Sequence, residues 1–410
     1  MSRAIEFKGY DQDQGQLLPG FARDALEAGD PVFFVDEVVE ELDLSAFEKR
    51  YEVMGEHAYP PRLLLKLWLF GAIAGVYSGR EIARRVHWDL RFRYLAGELR
   101  PDFRTVNRFR LRHGAEFAEV FRQSVRIAQR AGLAKLGRVA LDGTKLRANT
   151  SRSKAMSHGR MLEAEAQLDD EIAQILVQIE ERNRHEDETD GDGPGGGGLP
   201  EELQLREQRR ARIRAAKQQL EAEKGEELEP RHQKSFADPE ANMMKTGEAA
   251  LTYCYNAQAA TSEDGIIVAT GLSTSPSDAP QLLPMITAVE QNTGERPAWV
   301  LADAGYRSEE NFAALGERQQ RALIAVGREG KQGKWPKGPL SQRMKRTLWL
   351  PWARDRYGHR KTQAERPFAE IKQRMGLRRF ALRGKEKVEA EWNMACAAFN
   401  VKAIWRAQIA

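Results

Sequence analysis

The sequence predicts a multidomain mixed α/β (α+β) protein: an all-helical N-terminal part, then a mixed sheet flanked by helices and interrupted by a helical hairpin. Three observations predict it. Two short apolar runs, Val139 to Leu141 and Val300 to Ala302, each break at an aspartate, Asp142 and Asp303, as buried strands do when they deliver an acid to a sheet edge. Strand and helix patterns alternate beyond Tyr253, whereas residues 153–245 are two long charged stretches around a glycine-rich tip. Ahead of the first strand, residues 62–112 carry twelve basic side chains against four acids.

Composition narrows the class. A chain of 410 residues holds two or three domains of ordinary size, and a hydrophobic content of 41% is enough to build their cores. Charged residues make up 30% of the chain, yet the formal charge is only +4, so the basic excess is local. Such a field favours a polyanion, nucleic acid foremost, over the alternative of a solvated helix face. Two cysteines, Cys254 and Cys396, are too few for a disulfide framework or a zinc knuckle, and read as buried, reduced thiols. Met1 to Tyr10 lacks the apolar core of a secretory signal. The most apolar segment, Leu63 to Tyr77, is short and contains Lys66, so it reads as a core helix and not a membrane span. A cytoplasmic protein with no membrane partner is expected.

Residues 1–135 are expected to form a helical DNA-binding domain. An irregular start leads to a helix with Val38, Val39, Leu42, Leu44 and Phe47 as core positions. Pro60-Pro61 opens the apolar helix, since proline suits the first turn. Ser78, three before Glu81, has capping-box spacing. After the Leu99–Asp102 turn, Asp102 or Thr105 caps a short helix through His113 whose arginines suit the recognition helix of a helix-turn-helix. Arg104, Arg108, Arg110 and Arg112 are its candidate contacts to phosphates or base edges. Phe117 to Ala131 is an amphipathic helix leading into the Asp142 strand.

The catalytic part is expected to comprise residues 136–152 and 246–410. Between them, residues 153–245 read as an inserted antiparallel helical hairpin, solvated or serving as an arm toward a partner subunit or DNA. Tyr253–Ala260 and Gly265–Gly271 are strands joined by a tight turn. Asp278 is placed as the cap of the helix that follows. Next come the Asp303 strand, a helix from Ser308, a strand Ala322–Val326, a basic loop over residues 327–350, a helix with Glu365 and a final helix from Lys387 to Arg406. The order is close to that of an RNase-H-like core.

The acids suggest the chemistry. Asp142, Asp303 and Glu365 come from distant parts of a basic chain, and their hard oxygens suit Mg²⁺. Transfer of a phosphodiester needs an activated water or hydroxyl and neutralisation of the leaving oxygen, which two Mg²⁺ ions about 3.5–4 Å apart provide. Mn²⁺ is expected to substitute. Glu365 and Lys372 lie seven apart on one helix face, which would point Lys372 at bound phosphate. The local alternatives are plain: Asp142 as a turn former, Asp303 as a helix cap, and Glu365 completing a capping box with Thr362.

An ordered set of motifs goes further. It runs through Leu99-Arg100-Pro101-Asp102, Val106-x-Arg108-Phe109-Arg110, Leu141-Asp142-Gly143-Thr144-Lys145, Tyr255-Asn256-x-Gln258, Ala302-Asp303-x-Gly305-Tyr306 and Glu365-Arg-Pro-Phe-x-x-x-Lys372. The tail Arg379-Phe-x-Leu-Arg383-Gly384, with Trp392 and Asn400, completes it. In these motifs the chain resembles the bacterial insertion-sequence transposases of the DDE superfamily, over most of residues 60–405. The resemblance implies that Asp142, Asp303 and Glu365 form a metal-binding triad and that Tyr357, Arg360, Glu365 and Lys372 form the signature around its third acid. The usual signature has three residues between its Arg and Glu, whereas four separate Arg360 from Glu365, so Lys361 stands at the expected offset. Glu370 is a rival third acid. The resemblance also implies DNA partners, namely terminal inverted repeats and target DNA, a homodimer on DNA, and strand cleavage with strand transfer. The competing classes are a nuclease that cuts without joining and a DNA-binding regulator without catalysis.

Overall fold

A computed structural model describes residues 21–51, 58–188, 198–246, 251–327 and 335–409. The first stretch read from the sequence, up to residue 20, and the glycine-rich tip at residues 189–197 lie outside them.

Among the described residues, seven α-helices build the N-terminal part: α1 (Pro31–Glu41), α2 (Ser45–Glu48), α3 (Pro61–Ile73), α4 (Gly79–Trp88), α5 (Leu90–Ala96), α6 (Phe103–Arg112) and α7 (Glu116–Arg130). Their ends follow local chemistry. Pro61 opens α3, which is buried on every side from Leu63 to Ile73. Ser78, Asp89 and Asp102 cap α4, α5 and α6 by accepting backbone N–H bonds from Glu81, Arg91 and Arg104. Asp102, not Thr105, is therefore the cap of α6. Gly97, at φ 55°, ends α5 in the left-handed conformation that glycine adopts at least cost.

The strand β1 (Val139–Arg147) enters the main sheet next. The insertion follows as β2 (Ala155–Ser157), α8 (His158–Glu188), α9 (Gly198–Lys224) and β3 (Gln233–Ser235), with β2 and β3 paired antiparallel at its base. The two long helices share a small apolar core of Met161, Leu168, Ile213 and Ala216. Ion pairs Arg206–Glu171, Arg210–Asp169 and Arg214–Glu165, at 2.8, 2.5 and 2.6 Å, stitch them together.

The sheet is completed by β4 (Asn242–Lys245), β5 (Leu251–Thr261), β6 (Ile267–Ser273), β7 (Val300–Ala302) and β8 (Ala322–Ile324). β1 pairs antiparallel with β5 and parallel with β7, and β7 pairs parallel with β8. β5 carries β4 and β6 on its other edge, both antiparallel. This is the RNase-H-like mixed sheet that the element order predicted, with β1 at its centre. Its helices are α10 (Leu282–Thr293), α11 (Glu309–Glu317), α12 (Pro339–Trp349), α13 (Pro351–Ala369) and α14 (Lys385–Ile409).

Three expectations change. Residues 242–245, expected within the inserted hairpin, form β4 of the main sheet beside β5. The basic region read as a loop contains α12, whose Leu340, Met344 and Leu348 pack on the core at helical spacing. Thr362 lies well inside α13, so it cannot be the start of a capping box with Glu365. The helix runs on past Pro367 into a π-helical turn, Glu370–Arg374. Both cysteines are buried and free, as expected.

α14 joins the two halves. It is buried from Ala390 to Val401 and packs on α3, α7 and β6, so one apolar cluster runs from the N-terminal helices into the sheet. Asn400 accepts from Ile267 N and donates to Ile267 O and Ser124 Oγ, while Trp392 Nε1 donates to Gln258 O at 3.0 Å. Glu391 is wholly buried and accepts from Ala381 N and Leu382 N, and its Oε1 stands 3.9 Å from Arg110 Nη1. Removing one member of such a pair strands the other charge in the core. Glu391→Leu should therefore cost about 3–5 kcal/mol in urea unfolding, and adding Arg110→Met should recover part of that loss.

Candidate active site

Leu141 pairs with Ala302 across the parallel β1–β7 junction, so Asp142 and Asp303 are the next residues on neighbouring strands. The side chain of Asp142 is 19% exposed. Burial first, then the negative charge of Asp303, pushes its carboxyl up to about 6, against the pull of the Gly143 N–H and Arg360. The nearby charge of Asp278 acts in the same direction. Gly143 N donates to Asp142 Oδ1 at 2.8 Å. Asp303 Oδ1 accepts from Gly305 N at 2.8 Å and caps the turn Ala304–Tyr306, so its local role and a role in chemistry are compatible.

α13 brings the signature residues to these strands. Tyr357 is buried and its hydroxyl donates to Ala302 O at 3.2 Å, one residue before Asp303. Arg360 Nη1 stands 3.8 Å from Asp142 Oδ2, so Arg360 reaches the site despite its offset, while Lys361 is exposed. Lys372, in the π-helical turn, donates from Nζ to Thr144 Oγ1 on β1, two residues past Asp142. Glu365 is exposed on the next turn of α13. Among the described residues, no group of three or more His, Cys, Asp or Glu stands where it could hold a metal ion, so Glu365 is not gathered with the two aspartates in this arrangement. Its rival, Glu370, is taken up by Lys402, Arg374 and Arg406 at 2.9, 3.2 and 3.2 Å.

On the N-terminal helices, Arg104, Arg108 and Arg112 are exposed on α6. Arg112 lies over the Tyr51 ring, 5.0 Å from its centroid, and donates to Arg50 O. Arg110, expected as a DNA contact, is instead turned inward. It is buried, stacked 4.4 Å from the centroid of Trp68, with Nη1 donating to Tyr77 O and facing Glu391. Its charge serves the junction between the halves of the molecule.

Asp278 also departs from its expected role. It caps no helix by its side chain and accepts instead from Lys145, Asn256 and Gln258. The clue lay in β5, where two amides, Asn256 and Gln258, occupy the same face of an otherwise apolar strand. Buried amides require partners.

A family model described as a transposase DDE domain matches residues 202–401, and one described as a transposase domain matches residues 21–112. The chain belongs to the DDE transposases. The first match begins inside α9, so it takes in Asp303, Glu365 and Lys372 but not β1 with Asp142. No curated protein and no solved structure matches the chain. Transposases of this family work on DNA with divalent metal ions. The donor set fits such an ion: two hard carboxylates, one destabilised by the other, gain from a shared cation. No described helix of the transposase is long and apolar enough to cross a membrane.

The raised carboxyl of Asp142 has a measurable consequence. Its pKa in the fold is above the unfolded value, so the native state binds the extra proton, and the stabilisation it brings is full below about pH 4 and lost as pH rises through about 6. Without metal, Asp142→Asn should be more stable than the parent at pH 8 by about 2–3 kcal/mol, the gap closing toward pH 4. Mn²⁺ should raise the melting temperature of the parent and not that of Asp142→Asn.

Proposed function

We propose that this transposase binds the terminal inverted repeats of its own insertion sequence, as a homodimer, and performs Mg²⁺-dependent strand cleavage and strand transfer through Asp142, Asp303 and Glu365. The observation that carries this reading is the placement of Asp142 and Asp303 directly after the paired residues Leu141 and Ala302 of the parallel strands β1 and β7, with Arg360 and Lys372 beside them. When bound, divalent ions supply an activated water or 3′ hydroxyl and neutralise the leaving oxygen. The chain's own groups do the rest. Asp142 and Asp303 hold the cations, and Arg360 orients the Asp142 carboxylate. Lys372, steadied by Thr144, meets the phosphate, and exposed Glu365 joins the aspartates from α13 when DNA and metal are present.

The DNA follows two sets of cations. Arg104, Arg108 and Arg112 on α6 bind the element's end. A second set continues from β1 beyond the site: Arg152, Lys154, Arg378, Arg379 and Arg383 are exposed, and none forms an ion pair with an acid among the described residues. Carbonyl oxygens hold several of them instead. Arg379 Nε donates to Ala148 O at 3.2 Å and Arg383 Nε to Asn149 O at 2.8 Å. Guanidinium groups held by neutral carbonyls and not by an ion pair favour a phosphodiester backbone.

The test uses DNA carrying the element's end. Asp142→Ala should abolish cleavage while leaving end binding within about two-fold of the parent in a gel-shift assay, because affinity resides in the basic surfaces. Arg108→Ala and Lys154→Ala should each lower the slope of log affinity against log salt by about one unit. Cleavage without any joined product in a strand-transfer assay would favour the nuclease class, and loss of binding in Asp142→Ala would contradict this division of labour.

A further inference from the structure

We propose that Asp278 is a positioning residue of the site, the carboxylate through which β1, β5 and the Asp303 turn are locked together. The proposal rests on the reading of Asp142 and Asp303 as the metal-holding pair. One oxygen of Asp278, Oδ1, accepts three bonds: from Lys145 Nζ at 3.1 Å, Asn256 Nδ2 at 2.6 Å and Gln258 Nε2 at 2.8 Å. Lys145 lies on β1 three residues beyond Asp142, and the two amides lie on β5, fully buried. Gln258 in turn accepts from the hydroxyl of Tyr306, itself fully buried, which closes the turn that Asp303 opens. The two aspartate-bearing segments are thus tied to a common acid as well as to each other.

The backbone is shaped around this acid. A Cβ added at Gly143 would lie 2.7 Å from Asp278 Oδ1. One added at Gly305 would lie 2.9 Å from both Asp278 Oδ2 and Asp303 Oδ1. Gly143 therefore makes room for Gln258 together with Asp278, and Gly305 for Asp278 together with Asp303, with the second oxygen of Asp278 on the Gly305 side. An anion shared by three donors binds them more firmly than neutral acceptors would. Without it, a lysine and two buried amides would lose their common partner. The Asn256, Gln258, Gly305 and Tyr306 motifs converge on this one function, although they are scattered in sequence.

The experiment compares Asp278→Asn and Tyr306→Phe with the parent and with Asp142→Asn. Mn²⁺ affinity is measured by electron paramagnetic resonance, and steady-state cleavage of end DNA runs in parallel. Asp278→Asn should weaken Mn²⁺ binding and lower kcat by about 10–100-fold, as changes behind metal ligands do, with KM for DNA nearly unchanged. Tyr306→Phe, which removes only the hydroxyl that reaches Gln258, should act in the same direction but less, and decides the matter alone if Asp278→Asn does not fold. Parental Mn²⁺ affinity and kcat in the folded variants, whatever their stability, would overturn the proposal. If Asp142→Asn also bound Mn²⁺ and cleaved like the parent, the reading of the site itself would fall instead.

Discussion

The parallel pairing of β1 with β7 places Asp142 and Asp303 side by side, partly sheltered from water, and the rest of the catalytic half accommodates that repulsion. Arg360 approaches Asp142 from one side. Backbone N–H groups of Gly143 and Gly305 take up one oxygen of each acid. α13 is held against the sheet by Tyr357 on Ala302 and by Gln363 on Arg138 and Thr261, which keeps Arg360 in reach. A site assembled in this way is costly without a cation and relieved by one, as expected of a protein whose family depends on divalent metal.

Much of the core was legible in the sequence because its signals are local. Val139–Leu141 and Val300–Ala302 are apolar runs ended by an acid, and the β5–β6 hairpin is marked by Ser262–Gly265. What escaped depends on long-range packing. α12 carries many cations, so its core-facing Leu340, Met344 and Leu348 were outweighed by their charged neighbours. Charge alone groups Arg110 with Arg108 and Arg112. Yet it shares the helix face of Val106 and His113 at i+4 and i+3 spacing, and that face is the buried one. Periodicity, weighed above charge, would have placed it correctly.

The candidate site divides along the same line. The motifs singled out Asn256, Gln258, Gly305 and Tyr306 without assigning them work, because their partners are up to 48 residues away. Tertiary structure gives them a common centre at Asp278. Nor could the signature's spacing alone choose between Arg360 and Lys361, since helix phase relative to the sheet decides which one faces Asp142.

Glu365 decides whether the acid set closes, for it follows the buried Ala364 on α13 yet stays exposed. The most direct measurement is crystallography of the complex with end DNA and Mn²⁺, with the metal located by anomalous scattering. Mn²⁺ peaks are expected between Asp142 and Asp303, each within about 2–2.5 Å of carboxylate oxygens, with Glu365 turned in to complete the set. Mn²⁺ bound elsewhere, with both aspartates bare, would contradict their role as the metal-holding pair.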